Sequence, residues 1–238
     1  MARFDRLTVW RTMLEIGAVP TFTPLDLPAA HRVVGACQRA GARVVEITNR
    51  GAGTYDVFRE LLVRAPVDYP TLIIGAGTIY DAPTAALFIG AGAEFIVSPT
   101  LSPELARLCN RRKIPYLPGC GSATEISEAE ALGAEIVKLF PAAAFDGPAL
   151  VRGILGPSPR TRLMPTNVDA TRAATEAWVQ AGVACLGVGP SLISDARQAD
   201  PDPTALEVQI RTYLDWVRAA REAQDQPAEP PAQPAGRP

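Results

Sequence analysis

The fold is decided by a short sequence motif that occurs four times, and its first copy is Ala40-Gly41-Ala42-Arg43-Val44-Val45-Glu46. Each copy ends an alanine-rich amphipathic stretch with a glycine and continues as a short run of mainly apolar residues. Glycine is expected just after a helix, because it adopts the left-handed backbone conformation at little cost. The short apolar runs are typical of parallel strands that are buried on both faces. The other three copies are Ala91–Val97, Leu132–Lys138 and Ala181–Gly187.

Four further short runs bring the number of predicted strands to eight. Helical patterns separate them, and an eight-fold alternation of strand and helix within 238 residues is typical of an α/β fold of the (β/α)8 (TIM) barrel type. A doubly wound open sheet is the alternative, since periodicity alone does not exclude it. An amphipathic stretch, Phe4–Ile16, is predicted to cap the barrel bottom as an N-terminal helix. The further strands are Ala18–Phe22, Thr71–Gly75, Pro115–Leu117 and Arg162–Met164, and clear helical patterns are Asp26–Ala40, Tyr55–Arg64, Ala82–Gly90, Pro103–Arg111 and Thr171–Gln180.

Length and composition favour one large domain followed by a tail. The chain is 47% hydrophobic, which is enough for a sizeable core. We predict a barrel domain over residues 1–223. Residues 224–238 are rich in proline and alanine and contain no large apolar residue, so we predict a disordered tail there.

Charge and hydropathy exclude several classes of protein. A formal net charge of −2 gives no support for binding to nucleic acid or to a membrane surface. No apolar run approaches the roughly 20 residues of a membrane-spanning helix. The N-terminal residues lack the apolar core of a signal peptide, so we expect a cytoplasmic location.

Cysteine and histidine usage argues against a metal site. The four cysteines are far apart and form no Cys-x-x-Cys pair, and His31 is the only histidine. A zinc site of the usual spacing is therefore not expected. His31 lies in a predicted helix, where a packing or surface role is the simpler interpretation. We predict no metal ligands.

Only two of the 23 basic residues are lysines, and one of them, Lys138, lies in an apolar run. Burial of an ammonium group is costly and lowers its pKa, which favours a neutral, nucleophilic amine. Such an amine forms a Schiff base with a carbonyl substrate. The alternative is a lysine whose stem packs on apolar neighbours while its charge reaches water. Lys113 ends a helical pattern, where a solvated cation suits the helix dipole, so we assign it no catalytic role.

Polar side chains collect where the predicted strands end, which is where barrels of this type build their active sites. One amine, one carboxylate and one guanidinium meet there, and this set suits a small 2-keto acid. Lys138 would attack the ketone, Arg50 would hold the carboxylate, and Glu46 would move protons. The alternative is a structural salt bridge between Glu46 and Arg50.

Five motifs in this order resemble the class I aldolases that cleave 2-keto-3-deoxy-6-phosphogluconate (KDPG) and 4-hydroxy-2-oxoglutarate (KHG). The Gly-Ala-Gly-Thr motif is weak by itself, but the set at these spacings is specific. The resemblance covers roughly residues 4–193. The motifs are Glu46-Ile47-Thr48-Asn49-Arg50, Gly75-Ala76-Gly77-Thr78, Ile96-Val97-Ser98-Pro99, Pro118-Gly119 and Val137-Lys138-Leu139-Phe140-Pro141.

The resemblance implies a homotrimer of (β/α)8 barrels that acts on a small 2-keto acid without a metal or organic cofactor. It implies Lys138 as the Schiff-base lysine and Glu46 as the general acid and base. Arg50 and Thr78 would bind the substrate carboxylate. Two further residues, Pro99 and Phe140, would shape the pocket.

The phosphate-binding loops depart from the family pattern. Family members usually continue Pro-Thr with Gly-Gly after the seventh strand, whereas Thr166 is followed here by Asn167-Val168. The corresponding run after the eighth strand is Gly189-Pro190-Ser191, in which proline lacks an N–H group. Thr166, Asn167, Gly189 and Ser191 remain substrate-binding candidates. We expect a preference for an unphosphorylated 4-hydroxy-2-oxo acid, unless the side chain of Asn167 replaces a backbone donor.

Two other functions remain open at the level of sequence. A barrel isomerase or epimerase of a small sugar phosphate would use Glu46 as a base and would need no nucleophilic lysine. A catalytically idle relative would bind keto acids without cleaving them. The presence of Lys138, Glu46 and Arg50 together favours the aldolase.

Overall fold

The computed structural model describes residues 2–144 and 146–225, and it shows an α/β fold with parallel strands. Within these residues the strands are β1 (Ala18–Phe22), β2 (Val44–Thr48), β3 (Ile73–Gly77), β4 (Ile96–Val97), β5 (Tyr116–Leu117), β6 (Gly119–Cys120), β7 (Val137–Leu139), β8 (Leu163–Pro165) and β9 (Leu186–Val188). The helices are α1 (Arg6–Ile16), α2 (Leu27–Ala40), α3 (Thr54–Asp68), α4 (Ala82–Ala91), α5 (Pro103–Arg112), α6 (Ala123–Ala131), α7 (Gly147–Leu155), α8 (Arg172–Gln180), α9 (Asp195–Ala199) and α10 (Pro203–Asp225).

The helices begin and end at residues that satisfy their free backbone groups. The carboxylate of Asp26 accepts a hydrogen bond from the N–H of Ala29 at the start of α2. Gly41 ends the same helix in the left-handed conformation, with φ of 95°. Gly92 ends α4 in the same way. The repeated glycine therefore has the helix-ending role that the sequence predicts at these two positions.

The parallel strands are arranged in two sheets. One sheet has six strands in the order β5-β4-β3-β2-β1-β9, and the other has three in the order β6-β7-β8. A parallel bridge between Thr166 and Gly187 links the end of β8 to β9. Pro118 alone separates β5 from β6, and its carbonyl accepts a hydrogen bond of 2.9 Å from the N–H of Lys138.

Three of the four further strands differ in their bounds from those predicted, and the last of them is Leu163–Pro165 and not Arg162–Met164. The third strand is Ile73–Gly77 and not Thr71–Gly75, so Gly77 lies inside the sheet. The fifth predicted strand, Pro115–Leu117, is observed as β5 and continues after Pro118 as β6. Proline has no N–H to donate, which interrupts the regular pairing there.

Two clusters of buried apolar side chains pack around the strands. The larger cluster packs the helices against the outer faces of the strands, with α10 in contact with α2 and α8. The second cluster joins α1 to apolar side chains from around the strands. Its members are Val9, Trp10, Met13, Val19, Val44, Ile73, Phe95, Val97, Leu117, Ile136, Met164 and Cys185.

The two ends of the chain add secondary structure around this core. Helix α1 begins at Arg6, two residues later than the predicted stretch, with Asp5 as its N-cap. Helix α10 runs to Asp225, and the rest of the predicted tail lies outside the described residues. No helix in residues 2–144 or 146–225 combines the length and apolar character needed to cross a membrane.

Candidate active site

A pocket opens where the carboxyl ends of β1, β2, β7, β8 and β9 meet. It brings together seven of the ten residues that the sequence singled out, so strand ends distant in sequence share one site. The lining residues are Thr21, Phe22, Thr23, Glu46, Thr48, Arg50, Lys138, Phe140, Thr166, Asn167, Gly189, Pro190, Ile193, Asp195 and Gln198.

Lys138 is buried at the centre of strand β7, with 6% of its surface exposed. It is held in register on both sides, opposite Gly119 of β6 and Met164 of β8. Burial lowers the pKa of its ammonium group, the negative charge of Glu46 opposes this change, and the positive charge of Arg50 adds to it. Its Nζ lies 4.7 Å from the centroid of the Phe140 ring. Burial is the largest of these effects, so the pKa of Lys138 is lowered, which favours the neutral amine that a Schiff base requires.

Glu46 lies in β2, opposite Thr21 of β1 and Gly75 of β3, and is 2% exposed. Burial raises the pKa of its carboxyl group, while Lys138, Arg50 and the hydroxyl of Thr21 lower it. A raised pKa makes the ionised carboxylate a stronger proton acceptor, which suits a general acid and base.

Arg50 follows β2 and is exposed at the pocket, where its Nε donates a hydrogen bond of 3.3 Å to Oγ1 of Thr78. Among the described residues neither Glu46 nor Arg50 belongs to an ion pair shorter than 4.0 Å. A structural salt bridge between the two is therefore absent. The guanidinium group keeps further N–H donors that can face a carboxylate.

Three of the residues singled out from the sequence do not line this pocket. Thr78 contacts Arg50 through the hydrogen bond to its Oγ1. Its φ is 60°, a conformation that is unusual for a β-branched residue. The backbone of Pro99 packs so closely on Gly119 that no side chain fits at that position. The hydroxyl of Ser191 donates to the carbonyl of Val168 at 2.9 Å and accepts from an N–H of the same loop.

The loops after β8 and β9 show how the chain tolerates its departure from Gly-Gly. Asn167 has φ of 60°, and asparagine adopts this left-handed conformation more readily than most residues. The next residue, Val168, is buried. Oγ1 of Thr166 is buried and has no hydrogen-bond partner among the described residues. Asn167 thus keeps the backbone conformation that a glycine would supply.

Some pocket residues were not singled out as candidates from the sequence. Strand alternation predicts which side chains face the pocket only once the register of the strands is known, so Thr21 could not be identified from the sequence. Gln198 and Asp195 belong to α9, a helix of five residues that is not part of the repeated motif. The residues missed are Thr21, Phe22, Thr23, Ile193, Asp195 and Gln198, while Thr48 and Pro190 belong to motifs quoted from the sequence without an assigned binding role.

The described residues offer no evident metal centre. Within residues 2–144 and 146–225, no three side chains of His, Cys, Asp or Glu come together in a way that suits a metal ion. The pocket instead offers an amine, a carboxyl group and a guanidinium group, and the lack of a cofactor requirement stays a prediction.

Residues 12–206 match the protein family described as KDPG and KHG aldolase. A 2-dehydro-3-deoxy-phosphogluconate aldolase of Haemophilus influenzae is 36% identical over 126 residues, which cover 53% of this chain and 58% of that protein. A KHG/KDPG aldolase of Escherichia coli K12 is 28% identical over 195 residues, which cover 80% of this chain and 90% of that protein. A KDPG aldolase structure from Legionella pneumophila, with pyruvate captured as a covalent carbinolamine, has a TM-score of 0.78 and 24% identity. That alignment covers 86% of this chain and 97% of the other.

The family match includes every residue that lines the pocket. The likeness to the Legionella structure supports the fold, and the family match extends from α1 into α10. The chain therefore belongs to the KDPG and KHG aldolase family, whose named members are enzymes of the lyase class.

Proposed function

We propose that this protein is a Schiff-base aldolase that cleaves a 4-hydroxy-2-oxo acid to pyruvate and an aldehyde. The substrate is a 2-keto-3-deoxy sugar acid or 4-hydroxy-2-oxoglutarate, with a preference for an unphosphorylated form. One observation carries the proposal: a buried lysine with a lowered pKa, Lys138, shares a pocket with a buried carboxyl group with a raised pKa, Glu46.

The reaction balances with these two groups and water. The neutral amine of Lys138 adds to the C2 ketone, and loss of water gives an iminium ion. Glu46 removes the proton of the C4 hydroxyl, the C3–C4 bond breaks, the aldehyde leaves, and the electron pair passes to the iminium as an enamine. Protonation of the enamine at C3 and addition of water then release pyruvate and the free lysine.

The other pocket residues orient the keto acid for this chemistry. Arg50 has free N–H donors at the pocket mouth and would pair with the substrate carboxylate, with Thr78 steadying its guanidinium group. Phe140 lies beside Nζ of Lys138 and would pack on the pyruvyl methylene. We assign Pro99 to the support of the wall through its contact with Gly119.

We infer that the nine strands belong to one closed (β/α)8 barrel in which β5 and β6 are parts of a single strand. Three contacts support closure: the single-residue gap at Pro118, its hydrogen bond with Lys138, and the Thr166–Gly187 bridge. The cluster that joins α1 to side chains around the strands supports α1 as the cap of the barrel bottom.

We also propose a homotrimer and a cytoplasmic location. Exposed apolar side chains on the neighbouring helices α3 and α4, Val63, Val67 and Leu87, suit an interface between copies. Sedimentation of the native protein tests the trimer. The four cysteines are buried free thiols, as is usual in a reducing compartment.

Trapping with borohydride tests the aldolase chemistry. Incubation with pyruvate and sodium borohydride should give an irreversible adduct at Lys138 and none at Lys113, as located by mass spectrometry of peptides. Lys138→Met should give no adduct, and Lys113→Met should behave as the native protein. An isomerase would give no adduct, and an idle binder would give an adduct without cleaving substrate. Either result would overturn the proposal.

A further inference from the structure

We propose that Asp195 makes this site selective for a neutral, hydroxylated aldehyde half by repelling a second negative charge on the substrate. The inference rests on the proposed aldolase function and narrows its substrate. It excludes as preferred substrates both a phosphorylated sugar acid and a dicarboxylate such as 4-hydroxy-2-oxoglutarate. Four features of the pocket support it.

The first feature is the supply of positive charge. Among the fifteen residues that line the pocket, Lys138 and Arg50 are the only basic ones. Lys138 is bound covalently to C2 of the substrate in the Schiff base, and Arg50 faces the carboxylate that every 2-oxo acid carries. No cation of the pocket lining is left to pair with a second anion, and desolvation of an unpaired anion is costly.

The second feature is the carboxylate of Asp195 itself. It lies in the first turn of α9, lines the pocket and belongs to no ion pair among the described residues. The buried side chain of Gln198 fixes this helix, because it accepts from the N–H of Leu25 at 3.2 Å and donates to the carbonyl of Thr23 at 3.0 Å. Asp195 itself is exposed, so its negative charge lies at the solvent-facing edge of the pocket wall.

The third feature is that two groups in the loop after β9 cannot donate a hydrogen bond to an anion. Pro190 lines the pocket and has no backbone N–H. The neighbouring hydroxyl of Ser191 donates to the carbonyl of Val168, which spans the loops after β8 and β9. A phosphate group at this wall would find neither a proline N–H nor a free serine hydroxyl.

The fourth feature is a set of neutral hydrogen-bonding groups. Four threonine side chains and one asparagine line the pocket, and the buried Oγ1 of Thr166 has no partner among the described residues. The hydroxyls of Thr23 and Thr48 bond each other at 2.6 Å, and Thr48 also donates to the carbonyl of Phe22. Thr21 donates to the carbonyl of Val19. These three hydroxyl oxygens therefore remain as acceptors, which suits the hydroxyl donors of an uncharged polyol chain and not an anion. The five residues are Thr21, Thr23, Thr48, Thr166 and Asn167.

The test measures pyruvate condensation with three aldehydes: D-glyceraldehyde, D-glyceraldehyde 3-phosphate and glyoxylate. We expect the native protein to have its highest kcat/KM with D-glyceraldehyde. Asp195→Asn should raise kcat/KM for the two anionic aldehydes by about 3- to 10-fold relative to D-glyceraldehyde, as removal of one charge several ångströms away implies. Asp195→Glu should keep the native selectivity. Asp169→Asn makes the same charge change at an exposed position outside the pocket lining and should leave the ratio unchanged.

Salt dependence keeps the test decisive if Asp195→Asn fails to fold. Screening should raise the relative rate of the anionic aldehydes in the native protein as ionic strength increases. A native preference for an anionic aldehyde, or an equal effect of Asp195→Asn on all three, would overturn the inference while borohydride trapping still succeeds. Absence of both the adduct and condensation would instead overturn the proposed function, and the inference with it.

Discussion

Gly77 lies directly against the carboxyl group of Glu46. A Cβ atom at position 77 would lie 2.5 Å from Cδ and 2.8 Å from Cγ of Glu46, and would overlap Oε1. Strand β3 is paired with β2 across this contact, so neither backbone can move aside. The space that Glu46 needs is therefore provided by the missing side chain of its neighbour.

Gly77→Ala should displace the carboxyl group of Glu46 and lower kcat for substrate cleavage by about 100-fold, because catalysis depends on ångström-level positioning. Steady-state kinetics measure this effect. Gly90→Ala is the matched control, since no atom lies within 4 Å of the added Cβ and the position is in helix α4. It should leave kcat unchanged and stabilise the fold by about 0.5–1 kcal/mol. Equal kinetics for the two variants would contradict the role of Gly77.

The rate of borohydride trapping should rise with pH as Lys138 loses its proton, with a midpoint below the ordinary lysine pKa of 10.5. Glu46→Gln removes a negative charge that raises the pKa of Lys138, so the midpoint should move lower. Arg50→Gln removes a positive charge that lowers the same pKa, so the midpoint should move higher. Pseudo-first-order trapping rates across pH measure all three. Shifts of both variants in one direction would contradict this electrostatic coupling.

Ser191→Ala should act on stability and not on the choice of substrate. The hydroxyl of Ser191 bonds the carbonyl of Val168 and the N–H of Ala170, so its loss should cost about 1 kcal/mol in urea unfolding. The ratio of kcat/KM for phosphorylated and unphosphorylated substrates should stay at its native value. A fall in this ratio would show that Ser191 binds phosphate.

Removal of one partner from the buried pair of Arg3 and Glu94 should cost far more stability than removal of one partner from an exposed ion pair. Nε of Arg3 lies 2.8 Å from Oε1 of Glu94, whose side chain is fully buried, and the N–H of Ile74 donates to Oε2. Arg3→Ala would leave the buried carboxylate of Glu94 without its charged partner and should lower the free energy of unfolding by about 3–5 kcal/mol. Arg162→Ala breaks an exposed pair with Glu135 and should cost about 0–1 kcal/mol.

The sign of the pH dependence follows from Glu94. Burial raises the pKa of its carboxyl group above the ordinary 4.5, and Arg3 opposes this rise. A raised folded-state pKa gives a stabilising contribution that is full below 4.5 and is lost as pH rises through the folded value. Arg3→Ala raises the pKa further, so its cost should be larger at pH 8 than at pH 4.5. An equal cost at both values would contradict this account.

The three residues to which we assign the chemistry could be singled out from the sequence because their signals are local. Lys138 is an isolated lysine in an apolar run, Glu46 lies in a strand that comes after the repeated glycine, and Arg50 follows that strand. The three lie in one pocket. The boundaries of β3 and the interruption at Pro118 were less predictable, because strand register depends on neighbouring strands and not on the run itself.

The sequence by itself determined the α/β pattern, the helix-ending glycines, and the residues able to carry Schiff-base chemistry, since backbone preference and side-chain chemistry are properties of each residue and its near neighbours. Only the tertiary structure decided the fit of Gly77 to Glu46, the bonding of Ser191 to the loop after β8, and the position of Asp195 in the pocket. These depend on contacts between residues far apart in the chain, whose distances are set by packing and register and not by local sequence.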